Sequence, residues 1–361
     1  MRRVAAPWLF LSVIAMLGCN RPGPAVIGYA LPYSAAAVVR LAQEHVAALP
    51  GGAGVRIVED TVAGGDRADL EVARAQRMVE IPGLVAVVGH SGSHGSLAAA
   101  PVYNDAGIVQ LTPLTTSRHL ERAGPWTFTL SPNDSVEGAF IARFVDEHLG
   151  ARRVSLLYVG DEYGEGLRDG IAGELERRNI RIQREFLYDD ESDLETLLRA
   201  ALLPRVPDAV IVAGEQAATA EIARLMLVNA PGIPVVAGDA ALRLPGLAER
   251  AGPASENLYA VTFWLPDSTD ARYRDFAAQF RQLTGHDPNT SDTMIYDALM
   301  LLATAAIEGG GTPEAVRRWL LELGRTEPAY QGVTGPITLD ASDGSPRMVR
   351  IMGGRAQPVF P

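Results

Sequence analysis

A chain of 361 residues that is 47% hydrophobic and 21% charged can bury sizeable cores, which excludes a disordered chain and a polytopic membrane protein. At about 150 residues per domain it makes roughly two domains. The formal charge is −11 and all 32 basic residues are arginine, scattered without a basic tract, which argues against a nucleic-acid-binding surface, and one cysteine, Cys19, excludes a disulfide framework and a Cys-rich metal site.

Met1, Arg2 and Arg3 form a positive start, and residues 4–18 are apolar apart from Pro7 and Ser12. The run is too short to cross a bilayer of about 30 Å comfortably and has the pattern of a secretory signal over 1–18. Met16-Leu17-Gly18-Cys19 resembles a bacterial lipobox, in which cleavage exposes the Cys19 thiol for acylation. Leu17 is bulkier than the small residue usual there, and Met16 stands in place of leucine. Ordinary cleavage further on, or an uncleaved anchor, are the alternatives. Several acyl chains, at about 0.8 kcal/mol per buried methylene, would hold the protein on a membrane. No later stretch is long and apolar enough to span one, so the expected body is soluble and extracytoplasmic, behind a lipidated tether at 19–24.

From residue 25, strand and helix patterns alternate, which predicts α/β architecture with parallel sheets. Strands are expected at 25–31, 55–59, 85–88 and 108–111, with helices at 35–49 and 68–80. A second run has helices at 136–149, 164–178, 194–202 and 217–229, and strands at 154–159, 180–187, 209–213 and 235–237. Two doubly wound runs predict two lobes. Helices at 271–284, 291–308 and 312–323 follow with little strand between them, and short β segments at 336–339 and 348–352 close the chain. Turn-rich crossings at Ser131-Pro132-Asn133-Asp134, Trp264-Leu265-Pro266-Asp267 and 332–336 divide the chain into a first lobe of 25–132 and 264–333 and a second of 133–263 and 334–361.

In an open α/β sheet ligands bind beyond the carboxyl ends of the strands, so the loops after strands are the candidates. Gly89-His90-Ser91-Gly92-Ser93-His94-Gly95-Ser96 lies between a strand and a helix running through Leu97 to Ala100. A carboxylate there could take the Ser93 hydroxyl and backbone donors at a helix N-terminus. A plain helix cap by Ser93 or Ser96 is the alternative. Neither Ser91 nor Ser93 has the flanking glycines of a hydrolase elbow. His90 and His94 have helical metal-ligand spacing, but Ser-Gly-Ser disfavours a helix there and no third ligand is evident, so neither metal nor cofactor is expected. Thr112-Pro113-Leu114-Thr115-Thr116-Ser117 offers hydroxyls. Tyr163, before a helix, is either an aromatic cover for a ligand or a surface staple. Glu215 and Asp239, each after a strand, could receive an ammonium group, or Asp239 could only cap the turn that follows.

Together these loops resemble the leucine/isoleucine/valine-binding protein family, with the type I periplasmic binding fold that serves amino-acid ABC transporters. The similarity runs over nearly all of the chain after the signal. It rests on 27–32 as the opening strand, Gly89-His90 with Ser93, Thr112-Pro113 with Thr116, Tyr163-Gly164-Glu165-Gly166, Gly238-Asp239, Tyr296-Asp297-Ala298 and the closing segment 335–340. The resemblance implies a non-enzymatic clamp joined by three hinge crossings. Ser93, Thr116 and the Leu114 backbone would bind a ligand α-carboxylate, while Asp239 and Tyr163 would cover the α-ammonium and side chain, with ABC permease subunits as partners. Two departures stand out. Pro32-Tyr33-Ser34 runs straight into a shortened helix in place of a glycine-containing loop, leaving Tyr33 to fill part of the wall. Glu215 replaces an aromatic, which favours a polar, cationic, amide or larger ligand over an aliphatic one. A non-transport envelope lipoprotein, a ligand sensor or an activator of a cell-wall enzyme, is the alternative function.

Overall fold

The computed structural model describes residues 23–31, 35–60, 67–90, 92–339 and 346–361. Cys19 and Tyr33 lie outside the described residues.

The first lobe is built on β1 (Ala25–Tyr29), α1 (Ala36–Ala48), β2 (Val55–Glu59), α2 (Ala68–Val79), β3 (Leu84–Val88), α3 (Gly92–Ala106), β4 (Val109–Thr112) and β5 (Thr127–Thr129). All its strands are parallel, in the order β2-β1-β3-β4-β5. β1 and β3 are buried along their whole length, as unbroken apolar strands covered on both faces must be. The strand order reverses between β1 and β3, and a ligand crevice opens at such a switch point.

The second lobe repeats the plan with α4 (Asp134–Glu147), β6 (Arg153–Val159), α5 (Glu162–Arg177), β7 (Arg181–Tyr188), α6 (Leu194–Ala201), β8 (Ala209–Ala213), α7 (Gln216–Asn229), β9 (Val235–Ala237), α8 (Leu247–Ala251) and β10 (Leu258–Thr262). Its parallel part runs β10-β9-β8-β6-β7, so the reversal falls between β6 and β8. The two lobes thus present their switch points through equivalent loops, those after β1 and β3 in one and after β6 and β8 in the other.

The chain then returns to the first lobe. α9 (Ala271–Thr284), α10 (Thr290–Gly309) and α11 (Pro313–Glu322) cover the first sheet. α10 is apolar nearly all round because neighbours meet it on several sides, and the Asn289–Asp292 capping box fixes its start. A hairpin of β11 (Tyr330–Gly332) and β12 (Gly335–Ile337) follows. β13 (Arg347–Met352) and β14 (Arg355–Phe360) then add antiparallel strands to the second sheet beside β10.

Several boundaries depart from expectation. β5, β10, β11 and β14 are additional strands: β5 and β11 have three residues each, and Pro358 sits in β14 at the edge of the sheet, where a missing N–H is tolerated. α3 starts at Gly92, ahead of the expected 97–100, so Gly92 and Ser93 are helical. Its buried Ser96 is held from β4, where Gln110 Nε2 donates to the Ser96 carbonyl at 3.0 Å. The last crossing also falls later than the expected 333/334 boundary, since Ile337 and Leu339 still rest on the first core while Met348 is in the second.

A cavity of about 700 Å³ lies among the crossings, lined by Leu130, Phe263, Trp264, Asp297, Thr334 and Arg347 among others. It holds none of the expected ligand-binding residues. Asp297 accepts from the Val333 and Thr334 N–H groups at 2.8 Å each, and burial pushes its carboxyl up to about 6. It ties α10 to the closing hairpin.

Candidate functional site

On the first lobe, the loops after β3 and β4 are clamped together. The Ser96 hydroxyl donates to the His90 carbonyl at 3.0 Å and lies 2.8 Å from Thr115 Oγ1, which itself donates to the Gly92 carbonyl at 2.9 Å. These bonds leave two neighbouring hydroxyls over. Ser93 Oγ and Thr116 Oγ1 are buried and bond to nothing among the described residues. A buried hydroxyl without a partner is unfavourable unless something supplies one. Ser93 is therefore no helix cap. It stands in the first turn of the fifteen-residue α3, where backbone N–H groups and the helix dipole also favour an anion. Leu114 is buried between the two, and its N–H donates to no backbone carbonyl.

Beneath this wall, His90 belongs to a structural network. Its Nδ1 donates to Glu71, the Tyr103 hydroxyl donates to its Nε2 at 2.8 Å, and Arg74 Nη1 reaches both Glu71 oxygens at 3.3 Å. Burial lowers the His90 pKa, with Glu71 opposing, so the ring is neutral. His94 is exposed and close enough to act electrostatically on Asp161 of the second lobe, and no metal-ligating cluster of three is found among the described residues.

The second lobe presents charge. Asp239 follows β9, and both of its oxygens are taken by Arg243 four residues on, Nε donating to Oδ2 at 2.9 Å and Nη2 to Oδ1 at 3.1 Å. The pair is largely buried, with side-chain exposures of 11% for Arg243 and 9% for Asp239. The guanidinium also lies 5.2 Å from the centroid of the Tyr163 ring. Tyr163 is buried in the second core, not a surface staple, and its hydroxyl accepts from the Ala240 N–H at 3.4 Å. Gly238 permits this approach: a Cβ there would stand 2.5 Å from Tyr163 Oη and 2.6 Å from Leu167 Cδ2.

Two further acids complete the cluster, both from the first turn of α4. Glu137 Oε1 accepts the Asp239 N–H at 2.7 Å, while its Oε2 is buried and unpartnered. Asp134 lies beside the Thr116 hydroxyl without completing a hydrogen bond to it, and its N–H donates to the Thr116 carbonyl at 2.7 Å. Burial, reinforced by the Asp239 charge, pushes both carboxyls well above the usual range, so each is held toward its neutral, proton-donating form. Burial alone would depress Arg243, but Asp239, Tyr163 and Glu215 around it reverse the shift and keep it charged.

The walls meet. Ser117 Oγ donates to Glu162 Oε1 at 2.7 Å, His119 Nδ1 reaches the same oxygen at 2.7 Å, and Ser291 Oγ of α10 donates to the Arg243 carbonyl at 2.7 Å. Ser93, Leu114 and Thr116 therefore lie on the first wall, and Tyr163 and Asp239 on the second. Glu215 is exposed at the start of α7, close enough to act electrostatically on Tyr163 and Arg243. The sequence reading missed Asp134, Glu137 and Arg243. Arg243 carried a signal, the i,i+4 spacing from Asp239 that pairs opposite charges over a helical turn. Asp134 and Glu137 read as ordinary first-turn acids behind Asn133.

A Leu/Ile/Val-binding protein homolog from Brucella suis is 25% identical over 272 residues, covering 74% of this chain and 70% of its own. An amino acid binding protein from Pseudomonas aeruginosa is 31% identical over 129 residues, a match spanning only about a third of that relative's length (34%) and 35% of this chain. Among solved structures, the branched-chain amino acid transporter substrate binding protein of Streptococcus pneumoniae, in complex with isoleucine, superposes with a TM-score of 0.79 at 21% identity. That alignment covers 94% of this chain and all of the other, and it establishes the type I periplasmic binding fold. The family model described as periplasmic binding protein matches residues 29–351, and the chain belongs to that family.

Proposed function

We propose that the protein is the extracytoplasmic binding component of an ABC-type importer, closing its lobes on an amino acid or a small amino-acid-like ligand. The observation that carries this reading is the pair of buried, unpartnered hydroxyls, Ser93 and Thr116, on one wall, facing the Asp134–Glu137–Asp239–Arg243 cluster on the other. Ser93, Thr116 and the Leu114 N–H take the ligand carboxylate, and Tyr163 and the second-lobe cluster cover the rest, with Glu215 exposed at the start of α7. The halves 25–132 with 264–333, and 133–263 with 334–361, move about the crossings, adjusted for the later third passage. Closure excludes water and strengthens each polar contact.

Relatives that are solute-binding proteins support a non-enzymatic role, and their names support amino-acid transport and a permease partner. Attachment to a membrane by lipid chains on Cys19 rests on the lipobox-like Met16-Leu17-Gly18-Cys19 alone; among the described residues no helix is long and apolar enough to cross a membrane. Titration calorimetry against amino acids, amides and small carboxylates tests the binding reading. A saturable response that Ser93→Ala weakens is expected, and silence from folded protein across all three classes overturns it. Cys19→Ala should move the protein from the membrane to the soluble fraction.

A further inference from the structure

Resting on the solute-binding reading of the same cleft, we propose that the ligand is an organic acid that lacks an α-ammonium group, because Arg243 is the cation that Asp239 receives. Three observations converge. Both Asp239 oxygens already accept from the guanidinium fork, so a ligand amine would have to share them with a cation held beside it. The face of Tyr163, the other group positioned to cover an ammonium, is already covered by the same guanidinium at 5.2 Å. Nor can Arg243 be withdrawn at little cost. Without it Asp239 would be a largely buried charge with no counter-charge, beside the acids Asp134 and Glu137.

The remaining valences of the cleft are donors. Ser93 and Thr116 offer hydroxyls without partners, and Asp134 and Glu137 are held toward the protonated form by burial. Arg243 keeps Nη1, which hydrogen-bonds to nothing among the described residues. A second cation brought beside the guanidinium would be repelled in a medium where charges act strongly. A carboxylate or other acceptor is matched. The other charged groups nearby do not change this balance. Glu162 is engaged by Ser117 and His119, Asp161 near Arg243 accepts the Gly164 N–H at 2.8 Å as the cap of α5, and Glu215 is exposed.

Paired ligands give the test: leucine against 4-methylpentanoate and phenylalanine against 3-phenylpropanoate, titrated into the protein and into Arg243→Met, whose side chain keeps the packing on Tyr163. In the wild-type protein the acid of at least one pair should bind at least about tenfold tighter than its amino acid, a gap read directly from the two Kd values. Arg243→Met uncovers Asp239 and should move the preference toward the amino acid by a similar factor. If that variant does not fold, the Asp239→Asn, Arg243→Gln double variant, which removes both charges, should shrink the preference toward unity. Amino acids that bind the wild-type protein as tightly as their deaminated partners, or a preference unmoved in the variant that folds, overturn the inference and leave the solute-binding reading standing. Failure of both members of both pairs, together with the wider carboxylate panel, overturns that reading itself.

Discussion

Two clusters of buried charge sit a few strands apart in this molecule and have opposite characters. In the first lobe, Glu71, Arg74, His90 and Tyr103 form a network in which each acid faces a base or a ring N–H, with Asp60 and Arg77 closing its outer edge at 2.7 Å. In the second, Asp134, Glu137 and Asp239 share one arginine, and Asp134 and Glu137 keep oxygens that bond to nothing among the described residues. The first cluster is the more deeply buried, Arg243 and Asp239 keeping about a tenth of their side chains exposed. What differs most is the acids: those of the first cluster all have partners, while Asp134 and Glu137 keep acceptors over, and such acceptors mark where a ligand supplies what the chain does not.

The contrast breaks hardest at Arg74. Arg74→Met leaves Glu71 buried without its counter-charge and should cost about 3–5 kcal/mol in stability by urea denaturation while leaving the affinity of the folded protein unchanged. A loss under about 1 kcal/mol would mean that the first cluster is no better completed than the second. Ser93→Ala should do the reverse. Its hydroxyl has no internal partner, so stability holds or rises slightly, while removal of a hydrogen bond to a ligand carboxylate weakens binding by about 1.5–3 kcal/mol in calorimetry. Destabilisation with intact affinity would return Ser93 to the scaffold.

Gly238→Ala probes the packing under the second cluster. Its φ of −72° suits alanine, so the cost is purely steric, against Tyr163 and Leu167, and should be about 1–3 kcal/mol in thermal unfolding. A neutral result would show that Tyr163 shifts freely and is a poor wall.

The smallest expected effect is in the pH profile, where the clusters should pull in opposite directions. His90 is lowered from its usual 6.5, so the unfolded chain binds the proton more readily and folded stability falls as pH drops through that value. Asp134 and Glu137 are raised, so the folded state holds protons that the unfolded chain releases. Their contribution is complete below about pH 4 and is lost as pH rises through their folded values. Denaturant midpoints across pH 4–8 should therefore lose their acid-side slope in His90→Gln and their alkaline-side slope in Glu137→Gln. Parallel profiles in the two variants would erase the distinction between the clusters.

Much of this was legible beforehand. The alternation of apolar runs with helical faces gave the doubly wound plan, and most elements fall within a residue or two of their expected bounds. Strands too short to show a period, such as β5, and strands that exist through a partner distant in sequence, such as β10 beside β13, were not legible. Among the proposed site residues, Ser93, Tyr163 and Asp239 stand in loops that follow strand ends and could be picked from that placement, while Leu114 and Thr116 are singled out in such a loop only by the family resemblance. Asp134, Glu137 and Arg243 could not.

The sequence by itself determined the two-lobed α/β architecture, because burial on both faces of a parallel strand leaves an apolar run that no other element reproduces at that spacing. It also determined which loops would border the cleft, because those loops must follow the strand ends at each switch point. Only the tertiary structure decided how the charges in the cleft are matched. Asp239 reads as an open acid along the chain and is closed by Arg243 in space, while Asp134 and Glu137 become part of the wall only when α4 is laid against α5 and Thr116. Charge pairing depends on distance and burial, and neither is written in the order of residues.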